Sequence, residues 1–219
     1  MKSLTRWTTI ATLPMFMAMA LFAPEVLHLL FGQPYTTAAT VLTLLSFGYL
    51  YSASVGHLGA ILKSVSETKI LFKNSVFNFF LNTILNLVLI PEWGLGLGML
   101  GAAIATTTSI LVMNTIIVAE VYHVKGFTPF NRKVWKPIAA SIPALLLTYL
   151  GLQLIFPAGT PVWAMIPGGA FYAGLYGLTF LALGGLEEDR KSIQAAGRKF
   201  GYEDLSEKLL RTMERLSLL

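Results

Sequence analysis

The stretch Ile70-Leu-Phe-Lys-Asn-Ser-Val-Phe-Asn-Phe-Phe-Leu-Asn-Thr-Ile-Leu-Asn-Leu-Val-Leu-Ile90 decides how the rest of the chain is read. As an α-helix at 1.5 Å per residue it is about 31 Å long, close to the roughly 30 Å hydrocarbon core of a bilayer. It has no two-residue alternation, so a transmembrane strand is a poor description. Asn74, Asn78, Asn82 and Asn86 recur every four residues. Four residues advance about 400° around a helix, so each step drifts only about 40° and the row stays mostly on one face. Each carboxamide carries two donors and two acceptor lone pairs, and hydrocarbon satisfies none of them. This segment is a membrane helix with one face that must meet protein or water.

The whole composition agrees. Of 219 residues, 55% are hydrophobic and only 12% are charged. Soluble domains carry about 25% charged residues, so this chain cannot cover a water-facing surface in the usual way. Disorder needs low hydrophobicity and high charge, and is excluded. A disulfide scaffold is excluded because there is no cysteine. A net charge of +5 invites a nucleic-acid reading, but so little total charge argues against one, and no nucleic-acid partner is expected.

Uncharged runs give six expected spans: Trp7–Phe31, Thr37–Leu62, Ile70–Ile90, Leu97–Val121, Val134–Phe156 and Pro161–Leu186. Turn-like breaks separate them at Gly32-Gln33-Pro34, at Pro91-Glu92-Trp93-Gly94 and in the segment 157–160. All 16 Lys and Arg fall on one side of this arrangement. The positive-inside rule then predicts both termini in the cytoplasm, in the inner (plasma) membrane. The start has a second reading as a signal peptide cut near Ala18–Ala20, but the apolar run continues through Phe31 and favours a span. Residues 1–186 form the expected six-helix lobe. Residues 187–219 form a charged cytoplasmic tail, with Leu205, Leu209, Leu210, Met213 and Leu216 at helical intervals.

No catalytic signature occurs: there is no His-Glu-x-x-His, phosphate loop or Gly-x-Ser-x-Gly, and His28, His57 and His123 are scattered. An enzyme, a metal site and a cofactor are not expected. The asparagine row has two readings, as hydrogen-bonding glue between helices or as the wall of a hydrated path for sugar hydroxyls. His57 and Asn114 are candidates to stand behind that row; for His57 the alternative is a hydrogen-bonded packing residue. Lys63 and Lys73, at the inner ends of spans two and three, are candidates to attract a phosphate, or else simply set topology. Glu25, with His28 one turn on, is the one acidic residue placed to couple an ion, unless it only reaches the outer headgroups. Glu120 reads as an interfacial charge. Gly101, Ala102, Ala103 and Ala105, and Gly169, Ala170, Gly174 and Gly177, read as small-residue packing faces. Pro14, Pro24 and Pro143 predict kinks.

The run Asn82-Thr-Ile-Leu-Asn86-Leu-Val-Leu-Ile90-Pro91-Glu-Trp-Gly94, followed by Gly101-Ala-Ala-Ile-Ala-Thr106, resembles the polysaccharide-transporter family of oligosaccharide flippases. This family falls within the multidrug/oligosaccharidyl-lipid/polysaccharide exporter superfamily. Phe31-Gly32-Gln-Pro-Tyr35-x-x-Ala38-Ala39-x-Val41-Leu42 also looks like the family's turn between its seventh and eighth helices. Two features depart from the family: the interval from Gly94 to Gly101 is longer, and family members have two six-helix lobes. The resemblance implies an all-α carboxy-terminal lobe, a substrate cavity shared between lobes, and alternating access. It implies flipping of a lipid-linked oligosaccharide or polysaccharide precursor. The expected partners are the bilayer, the lipid-linked sugar and an amino-terminal lobe supplied by the same gene, a separate chain or a second copy. The alternatives are a cation-coupled multidrug exporter and a non-transporting scaffold for glycan assembly.

Overall fold

The computed structural model describes residues 2–56, 58–59, 68–126, 135–157 and 159–183. The charged tail expected at 187–219, together with His57 and Lys63, lies outside the described residues. The described residues form α1 (Lys2–Leu21), α2 (Ala23–Phe31), α3 (Ala39–Val55), α4 (Thr68–Leu89), α5 (Gly98–Lys125), α6 (Trp135–Ile155) and α7 (Met165–Ala182). Short 3₁₀ turns at Gln33–Ala38 and Val162–Ala164 lead into α3 and α7. No strand occurs among the described residues.

Four stretches are long and apolar enough to cross a membrane: Gln33–Val55, Gly98–Val124, Trp135–Ile155 and Val162–Ala182. Thr5–Leu21 with Ala23–Phe31 makes a fifth if that bent pair is one span. The chain is therefore an all-helical, multi-pass membrane protein. The six spans expected from the sequence become four or five: α4, although 22 residues long, carries the four asparagines and is too polar by composition, and the first span counts only if its bent pair crosses as one.

The first expected span also has a different form. Instead of running from Trp7 to Phe31, the chain bends by 77° between α1 and α2. At 20 residues, α1 is already about 30 Å long and matches the bilayer core unaided. Pro14 lies inside α1, while Pro24 sits in the first turn of α2, where its missing N–H leaves nothing unpaired. Phe22 fills the bend. It is 3% exposed, and its ring lies where a Cβ on Gly168 of α7 would come within 2.8 Å.

Packing follows a simple order: α4 against α5, α5 against α3, α3 against α1, and α1 against the α6–α7 pair. Leu13, Ala140, Ala144, Tyr172, Tyr176 and Phe180 form one core, between α1, α6 and α7. Val55, Leu58 and Val121 form a second, with Leu71 of α4 against it. Elsewhere large apolar side chains point outward, as in Phe72, Phe79, Leu146, Leu150 and Leu154. In water such a surface would aggregate; in a bilayer it faces lipid.

α5 lies between α3 and α4, and its sequence explains how it packs on both. Gly101, Ala103, Ala105, Thr107 and Ser109 are all buried. Gly101 and Ser109 meet α4, and Thr107 meets Leu44 and Gly48 of α3. Two residues advance about 200°, so alternate small side chains serve opposite neighbours and let both backbones approach.

The turn joining α4 to α5 accounts for the glycines of the quoted motif. The backbone N–H groups of Leu95, Leu97 and Gly98 donate to the carbonyls of Val88, Leu89 and Ile90 at 2.9, 2.9 and 3.2 Å. These are carbonyls that a helix end leaves without partners, a cost that grows near hydrocarbon. The longer interval from Gly94 to Gly101 thus folds back and caps α4. A Cβ on Gly94 would collide with the Val88 carbonyl oxygen, and one on Gly101 would lie 2.6 Å from that of Leu89.

Candidate functional site

The polar seam between α4 and α5 gathers most of the residues singled out by spacing. Because the two helices are antiparallel neighbours, positions near Asn74 meet positions near Glu120, and positions near Asn82 meet Ser109. Asn74 Nδ2 donates to Glu120 Oε2 over 2.6 Å. Asn82 Nδ2 donates to Ser109 Oγ over 3.3 Å. One turn on, Asn86 Nδ2 donates to Asn82 Oδ1 over 2.8 Å. Hydroxyls extend the seam to α3, through Tyr51 and Thr115 at 3.2 Å and Thr107 Oγ1 donating to the Leu44 carbonyl at 3.3 Å.

Asn78 breaks the pattern. It lies between the two cross-helix pairs, yet its Oδ1 is buried without a hydrogen-bond partner. Asn114, on α5 at the level of Asn78, spends its Nδ2 on the Ile110 carbonyl of its own helix at 2.8 Å. Exposure grades along the ladder as well. Asn74 is 5% exposed, whereas Asn78, Asn82 and Asn86 are only half-buried. The reason is position in the fold: α4 packs on α5, and no other described helix makes a comparable contact with it. The row is tied to α5 through Asn74 and Asn82, and its other flank is not covered by a described helix.

Of the other candidates, the described ones make no bond in the seam. Lys73 is exposed on α4 next to Asn74. His57 and Lys63 lie outside the described residues. Glu25 is half-buried on α2, which packs on the 33–38 turn, the start of α3 and the 162–164 turn; its Oε2 is buried without a partner. Among the described residues no three His, Cys, Asp or Glu side chains gather as a metal site would require. The chemistry on offer in the seam is hydrogen bonding, with one carboxylate at its end.

A second polar set was not anticipated as such. In the α1–α6–α7 core the hydroxyls of Ser141 and Tyr172 lie 3.1 Å apart, Tyr176 donates to the Ile10 carbonyl at 3.2 Å, and Thr179 donates to the Ala140 carbonyl at 3.0 Å. Arg6, read as a topology-setting charge, is only 7% exposed. Tyr172, Tyr176 and Phe180 repeat at four residues, the same signal as the asparagine row, so this buried stripe was legible. Glu120 was not: nothing in sequence pairs it with Asn74, 46 positions away.

Comparison with known proteins adds a partial likeness. Over 108 residues the chain is 31% identical to a probable low-salt glycan biosynthesis flippase, Agl15, of Haloferax volcanii. That match covers 49% of this chain and 22% of the relative. Over 111 residues it is 32% identical to an uncharacterized membrane protein of Methanocaldococcus jannaschii, covering 49% of this chain and 20% of that protein. The aligned stretches thus take in about a fifth of each relative. No family model and no solved structure matches the chain.

Proposed function

We propose that this chain is one lobe of a flippase that moves a lipid-linked oligosaccharide or polysaccharide precursor across the membrane. The observation that carries the reading is the half-open amide ladder: Asn78, Asn82 and Asn86 lie half-buried on an edge helix, where Asn82 bonds to Ser109 of α5, Asn86 bonds only to Asn82 and the Asn78 oxygen has no partner. Dragging a sugar headgroup through hydrocarbon strips its hydrogen bonds at about 2–7 kcal/mol per polar group. A row of carboxamides along a seam between lobes replaces part of that hydration while the lipid tail stays in the bilayer. The likeness to a flippase of glycan biosynthesis supports the same reading.

In this proposal α4 is the sixth span, admitted to the membrane because its polar face meets α5 and a second lobe. The two termini then face the cytoplasm of the inner membrane. The second lobe comes from the same gene, another chain or another copy, and transport proceeds by rocking the lobes. The chain binds and moves its substrate and performs no bond chemistry. Lys73, with Lys63, is the proposed attraction for a phosphate headgroup at the inner end, and His57 and Asn114 support the ladder.

The test is transport by the complete transporter in vesicles, read by the access of a membrane-impermeant lectin to the translocated glycan. Replacing Asn78, Asn82 and Asn86 with Leu should abolish transport while the protein remains in the membrane. Unchanged transport would reduce the ladder to packing. Glu25, with its unpartnered carboxylate oxygen, favours a second reading as a cation-coupled drug exporter. Drug resistance lost in Glu25→Gln, with glycan export intact, would select it.

A further inference from the structure

Between α6 and α7, at the end where the two helices are joined, lies a groove of about 330 Å³ lined by Leu147, Gly151, Ile155, Trp163, Pro167 and Phe171. We propose that this groove is a binding site for one acyl chain of a bilayer phospholipid. The lining decides the chemistry. Its one hydroxyl belongs to Thr148, which is 2% exposed and already donates to the Ala144 carbonyl at 2.8 Å. A sugar, a peptide backbone or a water needs two or more polar partners, and beyond the indole N–H of Trp163 at the rim the lining side chains offer none. An apolar helix of a partner protein, about 10 Å across, does not fit in a volume at the small end of ligand pockets.

Continuity and length choose the occupant among hydrocarbons. The groove opens onto the surface carrying the exposed side chains of Leu146, Leu150, Leu154 and Ile166, the lipid-facing surface of two membrane helices. From Leu147 to Phe156 it follows α6 for about 14 Å, nearly half of the roughly 30 Å bilayer core and so the depth of one leaflet. At one end stand Phe156 and Trp163, whose rings meet edge-on with centroids 5.5 Å apart. Indole rings sit at headgroup level, which puts the glycerol of the lipid beside Trp163 and its chain down the groove. This site is separate from the amide ladder, so it stands or falls independently of the transport proposal.

Gly151 gives a clean handle, because a Cβ built there meets no atom within 4 Å, as is also true of Gly174 outside the groove. The experiment places the full chain in phosphatidylcholine vesicles doped with a phosphatidylcholine that carries a diazirine midway along one acyl chain. After illumination, adducts should concentrate on the 147–156 and 163–171 peptides. In Gly151→Phe their yield should fall about tenfold, roughly what losing the burial of two methylenes does to occupancy, and in Gly174→Phe it should not change. Adducts spread evenly over the exposed apolar residues of α4, α6 and α7 in the unsubstituted protein would overturn the site, whether or not Gly151→Phe folds. Suppression of the adducts by a trace of prenyl phosphate would also overturn it, by giving the groove to an isoprenoid carrier.

Discussion

Asn74 donates to Glu120 over 2.6 Å, tying the start of α4 to the end of α5 at the tightest polar contact of their seam. The bond gives an otherwise exposed-looking carboxylate a fixed partner and buries the amide to 5% exposure. Hydrogen bonds to charged groups contribute about 1.5–3 kcal/mol, and the half-buried position of Glu120 lowers that toward about 1 kcal/mol. Asn74→Leu and Glu120→Leu should therefore be coupled by about 1 kcal/mol in a double-substitution cycle followed by thermal unfolding in detergent. Additive effects would mean the contact contributes nothing.

Asn78 and Asn82 should separate folding from transport. Asn82→Leu leaves Ser109 Oγ and Asn86 Nδ2 without their partners, and should lower stability by about 1 kcal/mol. Asn78→Leu removes an oxygen that has no partner, so stability should hold or rise while transport falls. A loss of folded protein in Asn78→Leu equal to that in Asn82→Leu would contradict this.

The α4–α5 turn should be intolerant at two glycines. Gly94→Ala and Gly101→Ala each force a methyl group against a carbonyl oxygen of α4, at about 1–3 kcal/mol each by the usual cost of overpacking. Gly174→Ala, whose Cβ meets nothing within 4 Å, should be neutral or slightly stabilising, since Ala is the better helix former. Comparing detergent melting midpoints of the three variants decides it. Equal midpoints for all three would show that the turn can relax.

At the bend, Gly168→Ala should displace Phe22, because the added methyl would come within 2.8 Å of its ring. Phe22 is buried and has nowhere to go, so destabilisation of about 1–3 kcal/mol is expected. Adding Phe22→Leu should recover part of the loss. If Phe22→Leu worsens Gly168→Ala instead, the two residues are not in the contact described.

Much of the architecture could be read residue by residue. The starts of α5 and α6, the turn at Pro91 and the period of the asparagines all follow from local rules, because hydrocarbon forces every backbone group into helix and a polar residue into one face. Pro24 signals a kink in the first span, but the 77° break at Phe22 has no such signal, because an apolar run of 25 residues, Trp7 to Phe31, looks the same to bulk hydropathy whether it is straight or folded. A buried Phe finding space over Gly168, 146 positions later, has no local signature. The amide row itself was legible, but its division into bonded and unbonded members was not, since that depends on which side chain of α5 stands at each level.

The amino-acid order by itself determined that this chain is helical, lives in a membrane and places four carboxamides on one face, because desolvation and the 3.6-residue period leave no alternative. Only the tertiary structure decided that α5 takes the inner flank of those amides, that Asn78 is passed over, and that the outer flank of α4 stays open. Those outcomes turn on which helix packs beside which. Lipid is as apolar as the helix surfaces it covers, so hydropathy does not choose neighbours; close backbone approach at Gly101, Ala105 and Ser109 does.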